Sequence, residues 1–237
     1  MLEQIKQFLE LTKIREKITV PSKSDPPVSH VRVFHKDYPR FERIELPDET
    51  ADPRLEELWR ARRSTREFLP NPLAIKDVAA VLRSCRIIGE RNGTERRSYP
   101  SGGARFPVEL YLLAFRVEGL ETGCYHYELK NERLEVLWPA NLAERTEEIV
   151  SPFVADPAAA LVMTSVISRS EVKYGVRALP FSLIEAGHMA QNIQLACAAR
   201  SLGCCPVSGF VDDTISSLLD LTEGEIPLYV TALGNVA

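Results

Sequence analysis

Residues 62–66 read Arg62-Arg63-Ser64-Thr65-Arg66, three arginines in five positions directly after an apolar helical stripe. Arginine offers a fixed planar fork of donors that suits phosphate, and serine adds a hydroxyl donor. The same residues also suit a solvated helix end, where positive charge offsets the last carbonyls. Upstream, Asp52-Pro53 opens a helix: aspartate can cap it and proline fits its first position. Leu55, Leu58, Trp59 and Arg62 then share a face.

Downstream, Val78, Val81, Leu82 and Cys85 give residues 75–86 a helical period. Residues 108–115 read as a buried strand, and 125–129 with 134–138 as a hairpin around Lys130-Asn131. Residues 143–150 suit a short helix, and 158–167 form the most apolar strand. A long helix over 183–202 is expected to stop at Gly203, a favoured residue just past a helix end. Asp212 or Asp213 is expected to cap one more helix, and 228–233 form a last strand. Helices and strands alternate irregularly, so the fold class is α+β rather than a strictly parallel α/β fold.

The 237 residues amount to about one and a half typical domains. Residues 2–17 are helical by the spacing of Leu2, Ile5, Phe8 and Leu9, and 20–50 are rich in proline and charge. Residues 1–50 therefore read as a packing or dimer arm, and 51–237 as the single domain. The net charge of −4 argues against a nucleic-acid partner. No stretch reaches the roughly 18 apolar residues of a membrane span, and the charged N-terminus lacks the apolar core of a signal peptide. Five cysteines with no CxxC pair argue against a metal site or a disulfide framework, and favour reduced thiols in the cytoplasm.

Three further segments can carry chemistry. Pro100-Ser101-Gly102-Gly103-Ala104-Arg105 lets backbone approach a flat ligand closely, although a plain turn would look the same. Lys173-Tyr174 could move a proton, or could be a surface lysine beside a packed tyrosine. Gly203-Cys204-Cys205-Pro206-Val207-Ser208-Gly209 follows the long helix; its adjacent thiols suit two small buried side chains, and Ser208-Gly209 could present N–H groups.

In this order, RRSTR (62–66), PSGGAR (100–105), GCYHYE (123–128), KYGVR (173–177), EAGHMAQN (185–192) and GCCPVSGF (203–210) resemble the nitroreductase superfamily of flavoproteins. They are most similar to its SagB-type dehydrogenase branch, which includes the azoline oxidases of thiazole and oxazole biosynthesis. The resemblance runs from about Tyr38 to Gly234. It implies an FMN-dependent oxidoreductase with a mixed or antiparallel central sheet flanked by helices, built as an intertwined homodimer with two interfacial sites. Arg62 and Ser64 should then hold the FMN phosphate, with Arg63 in the same pocket and Arg66 at the N1/O2 edge. Pro100, Ser101, Gly102 and Gly103 should pack over the ring from the partner subunit, and Ser208 and Gly209 should sit near N5. Gln191 and Asn192 should be structural. Lys173 and Tyr174 match the pair that azoline oxidases use for proton transfer.

The resemblance implies dehydrogenation of an azoline-type ring or related substrate in peptide or natural-product maturation, with other subunits of a biosynthetic complex as candidate partners. An NAD(P)H-dependent nitro- or quinone reductase and a non-catalytic scaffold subunit of a synthetase are the alternatives. Two departures stand out. Pro180 replaces a second arginine often found after KYGxR, and residues 234–237 hold no lysine or arginine where many members place one on the phosphate.

Overall fold

A computed structural model describes residues 2–18, 35–50 and 52–237. Six strands form one sheet: β3 (Val108–Ala114), β4 (Gly123–Glu128), β5 (Arg133–Pro139), β6 (Ala159–Val166), β7 (Leu202–Val207) and β8 (Glu225–Asn235). Their order is β5-β4-β3-β6-β8-β7, and every neighbouring pair is antiparallel. Alternation along β3 explains the layering. Val108, Leu110, Leu112 and Ala114 enter one core, and Tyr111 and Leu113 enter the core on the opposite face.

The first core is closed by α3 (Ile75–Leu82) and α6 (Ala178–Ala199), through Val78, Val81, Ala186, Met189 and Ile193. The second is closed by α4 (Thr146–Val150) and α7 (Asp212–Leu218), through Ile149, Val150, Ile215 and Leu218. The N-terminal helix α1 (Glu3–Thr12) docks on its own chain. Ile5 is buried against Ile167, Leu179 and Ile226, and Lys6 and Lys13 pair with Glu223 and Asp213 at 2.6 Å each. Burying a side chain such as Ile5 contributes about 1.5–3 kcal/mol. Part of the expected arm, residues 19–34, lies outside the described residues; residues 35–50 form no helix or strand.

The helix start at Asp52-Pro53 is as expected: Asp52 accepts the Arg54 N–H at 3.0 Å and opens α2 (Pro53–Ala61). Other helix boundaries differ from the sequence reading: α1 ends at Thr12 rather than 17, and α6 begins at Ala178 rather than 183. The long helix ends at Ala199, with Ser201 in the left-handed region, and Gly203 lies inside β7. That glycine serves close approach instead: a methyl group there would overlap Val236 and lie 3.0 Å from Phe68 and 3.1 Å from Thr65. Asp212 does not cap α7; its carboxylate accepts the Ile14 N–H at 2.9 Å and so holds the end of the N-terminal segment. A hairpin of β1 (Ile87–Arg91) and β2 (Thr94–Arg97) forms a separate two-stranded sheet that the sequence reading missed.

Candidate functional site

The close approach at Gly203 explains how the arginine segment is placed. Residues 64–65 run beside the outer edge of β7, Ser64 bridging Cys204 in parallel and the Thr65 N–H donating to the Cys204 carbonyl at 2.8 Å. RRSTR and GCCPVSG therefore form one unit. Arg62 leaves the end of α2, is partly buried, and donates to Gln194 Oε1 of α6 at 3.1 Å. A pocket of about 390 Å³ opens here, lined by Arg60, Arg62, Arg63, Thr65, Gln194 and Cys204 among others, with no acidic side chain in its wall. Arg60 reaches Glu56 at 3.6 Å, whereas Arg62 and Arg63 make no ion pair among the described residues.

Arg66 is exposed, with its guanidinium 5.9 Å from the Phe153 ring centre and its carbonyl accepting the Ala155 N–H at 2.8 Å. Burial pushes the Cys205 thiol up, and the charge of Arg66 opposes it. Cys204 is held below its ordinary value by its hydrogen bond with Cys197 and by Arg62. All five cysteines are free and buried, so the adjacent pair is two packed thiols. At the end of β7, Ser208 is exposed, and the Gly209 carbonyl accepts a hydrogen bond from Ser151.

A second cluster gathers the other motifs. Lys173 and Tyr174 end α5 (Ser168–Tyr174), with Lys173 Nζ 5.2 Å from the Tyr174 ring centre and that ring edge-on to Phe181 at 4.9 Å. Gly103, at φ 60°, lies directly against this pair. A methyl group there would overlap the Tyr174 hydroxyl and lie 3.0 Å from Lys173 Nζ. Lys173 itself is exposed. Thus the 100–103 loop and the Lys-Tyr pair meet within one chain.

Charged groups that the sequence reading did not single out hold this cluster. Ser101 donates to Glu185 of α6, and its hydroxyl oxygen accepts the Phe106 N–H at 2.9 Å. Glu185 is 1% exposed, and burial pushes its carboxyl up to about 7. Arg169, in the first turns of α5, donates to the Phe106 carbonyl at 3.2 Å and pairs with Glu109, while Arg105 donates to the Arg169 carbonyl at 2.6 Å. Glu109 is partly buried, which works against ionisation, but His126 and Arg169 hold its carboxyl below the usual range. Of the two amides in EAGHMAQN, Asn192 ties down the Ser84 and Ser98 carbonyls at 3.1 and 3.0 Å, and Gln191 is exposed. Pro180 falls in the first turn of α6, where its missing N–H costs no helical hydrogen bond.

The two clusters do not meet in one chain. Glu185 and Gln194 mark them on α6, nine positions apart. At 1.5 Å and 100° per residue, that is about 14 Å along the helix and opposite faces of it. Just N-terminal to Glu185 on the same helix, Leu183 and Ile184 are exposed at 44% and 56%.

Comparison with known proteins places the chain among known relatives. The model of the nitroreductase family matches residues 59–235. MJ1384 of Methanocaldococcus jannaschii, a protein named as a nitroreductase, is 28% identical over 194 residues, covering 81% of this chain and 96% of that protein. The Microcin B17-processing protein McbC of Escherichia coli is 30% identical over 152 residues, covering 61% of this chain and 56% of McbC. A chain of the E. coli microcin synthetase McbBCD complex, solved with truncated pro-MccB17 bound, superposes with a TM-score of 0.78 at 23% identity, over 99% of this chain and 92% of that one. It shares the fold.

Proposed function

The chain belongs to the nitroreductase family, in its SagB-type branch, and on that basis we propose that it is an FMN-dependent oxidoreductase that dehydrogenates azoline-type rings in peptide or natural-product maturation. The observation that supports this reading is the contact of Gly103 with Tyr174 and Lys173, which sets a lysine-tyrosine pair against the loop that would cover a flavin. The likeness to McbC supports the substrate class.

The residues present fit FMN. Arg62 and Arg63, which make no ion pair among the described residues and line a pocket with no acidic side chain, suit a phosphate, with Ser64 beside them. Arg66 suits the N1/O2 edge, where a cation favours reduction. Ser208 and Gly209, at the end of the same strand edge, suit N5. Bound FMN supplies a hydride acceptor. Converting an azoline to an azole breaks two C–H bonds on adjacent ring atoms, one hydrogen leaving as hydride and the other as a proton. Lys173 is the residue that would accept that proton, and Tyr174 would orient the ring and pass the proton on. Pro100, Ser101, Gly102 and Gly103 exclude water from that side.

The opposite placement of the two clusters on α6 favours a homodimer in which the arginine segment of one protomer faces the Lys-Tyr pair of its partner. Exposed Leu183 and Ile184 would then be covered, and so would Phe41, Ile44 and Leu46 of the arm, now 69%, 84% and 86% exposed. Purified protein is expected to be yellow, or to bind added FMN, and to oxidise a thiazoline or oxazoline peptide in air. Lack of any flavin uptake would favour a scaffold subunit in a larger synthetase. The near-full-length match to MJ1384 favours a second reading, an NAD(P)H-dependent nitro- or quinone reductase. Rapid flavin bleaching by NADPH with turnover of a nitroarene would select it.

A further inference from the structure

We infer that Glu185 is a positioning residue: through Ser101 it fixes the 101–103 loop against Tyr174 and Lys173, and so sets the geometry in which that pair meets substrate. The inference rests on the reading of Lys173 and Tyr174 given above.

A carboxyl group on the buried face of an apolar helix is costly unless its hydrogen bonds are satisfied. Glu185 is 1% exposed and makes no ion pair among the described residues. Its partners all belong to the segment that carries the glycine loop. One oxygen takes the Ser101 hydroxyl, and the other takes the Val108 N–H at 3.4 Å. Ser101 in turn accepts the Phe106 N–H at 2.9 Å, and its carbonyl accepts the Ala104 N–H at 3.1 Å. The chain from 101 to 106 is thus folded back on one serine, and that serine is anchored on one buried acid. Gly103 sits at the tip of this loop, where there is no room for a methyl group between it and the Tyr174 hydroxyl. A shift of Ser101 moves Gly103, and Tyr174 must follow or lose its support. A displacement of about 1 Å at such a group can cost on the order of 100-fold in rate.

The anchor also responds to pH. Ionised, Glu185 only accepts hydrogen bonds; protonated, it can donate to the Ser101 oxygen. The groups facing it are Arg97 and Tyr99 from the β1–β2 side, Arg169 from α5 and the Val108 N–H from β3. Burial opposes the ionised form, while the Ser101 and Val108 hydrogen bonds and then the two arginines favour it, and the carboxyl is pushed up to about 7. The loop therefore has two hydrogen-bonding states within the working range of an enzyme.

The test uses full-length, FMN-loaded protein labelled with nitrogen-15. The amide signals of Gly102 and Gly103 are followed from about pH 5 to 9, a range spanning the Glu185 transition. In the wild type both signals should move together in one transition near neutrality; in Glu185→Gln the transition should vanish, and in Ser101→Ala it should no longer reach the two glycines. Turnover of an azoline peptide by Glu185→Gln should show kcat at least about tenfold lower, with KM and flavin content within about twofold. Glycine signals that stay fixed in the wild type, or titrate equally in Glu185→Gln, would overturn the inference. The amide titration needs no substrate. If it behaves as expected while the wild type oxidises no azoline, the proposed reaction fails and the positioning of the loop by Glu185 stands.

Discussion

Gly103 and the Tyr174 hydroxyl are in direct contact, across a space that admits no side chain at position 103. The φ of 60° at Gly103 adds a second reason for glycine there. Gly103→Ala is expected to leave the fold intact, with a loss of about 1–3 kcal/mol in unfolding free energy from steric strain. Its kcat for azoline oxidation should fall by far more than that loss of stability explains. Denaturant unfolding and steady-state kinetics on the same preparation check both parts.

Lys173 and Tyr174 are expected to separate chemistry from binding. Lys173→Ala should lower kcat by about 100-fold or more, the usual scale for removing a general base. Tyr174→Phe should lower it less, and both variants should keep wild-type FMN content. Full activity in both would remove the pair from the mechanism.

Arg62 is expected to act through the phosphate. Charge-assisted hydrogen bonds of this kind contribute about 1.5–3 kcal/mol, so Arg62→Ala should weaken FMN binding by roughly 10- to 150-fold. Riboflavin, which lacks the phosphate, should bind the variant and the wild type alike. Fluorescence titration with both flavins makes the comparison.

Much of the fold was legible because hydrophobic period and turn residues agreed. The buried strand β3, the continuous apolar run of β6 and the Asp52-Pro53 start all appear in the structure as expected. The missed β1–β2 hairpin carried a signal in Asn92-Gly93, both at positive φ, but its strands are charged on both faces and show no alternation. Gly203 was misread as a helix end because a glycine after an apolar helix has two uses, and only the packing of Phe68 and Thr65 tells them apart. The structure gathers the motifs singled out in the sequence into two clusters. Glu185 lay within a motif, but its role depends on Ser101, 84 positions away, a contact no local pattern records.

Mixing two impaired variants, at an FMN concentration that fills the wild-type site but not the Arg62→Ala site, is expected to restore activity. If each site combines the arginine segment of one protomer with the Lys-Tyr pair of its partner, an Arg62→Ala and Lys173→Ala heterodimer holds one intact site. Random reassociation of equal amounts should then recover about a quarter of the wild-type rate, as two-fold symmetry requires. No recovery on confirmed subunit exchange would place each site within a single protomer.

Glu185 is expected to give stability a definite pH slope. Its carboxyl is raised from 4.5 to about 7 in the folded protein, so the folded state binds more protons than the unfolded state between those values. Stability from this group is therefore present below the unfolded value and lost as pH rises through the folded one, by roughly 3 kcal/mol in all. Relative to Glu185→Gln, the wild type should lose stability as pH rises from 5 to 8. Urea unfolding of both proteins at the two pH values measures the difference.

Anaerobic mixing of the FMN-loaded protein with a thiazoline peptide tests the proposed reaction most directly. The flavin absorbance band should bleach on mixing as the ring gives up its hydride, the azole should form in equal amount, and the rate should fall sharply in Lys173→Ala. A flavin that stays oxidised with the azoline but bleaches at once with NADPH would contradict the dehydrogenase reading and leave the reductase in its place.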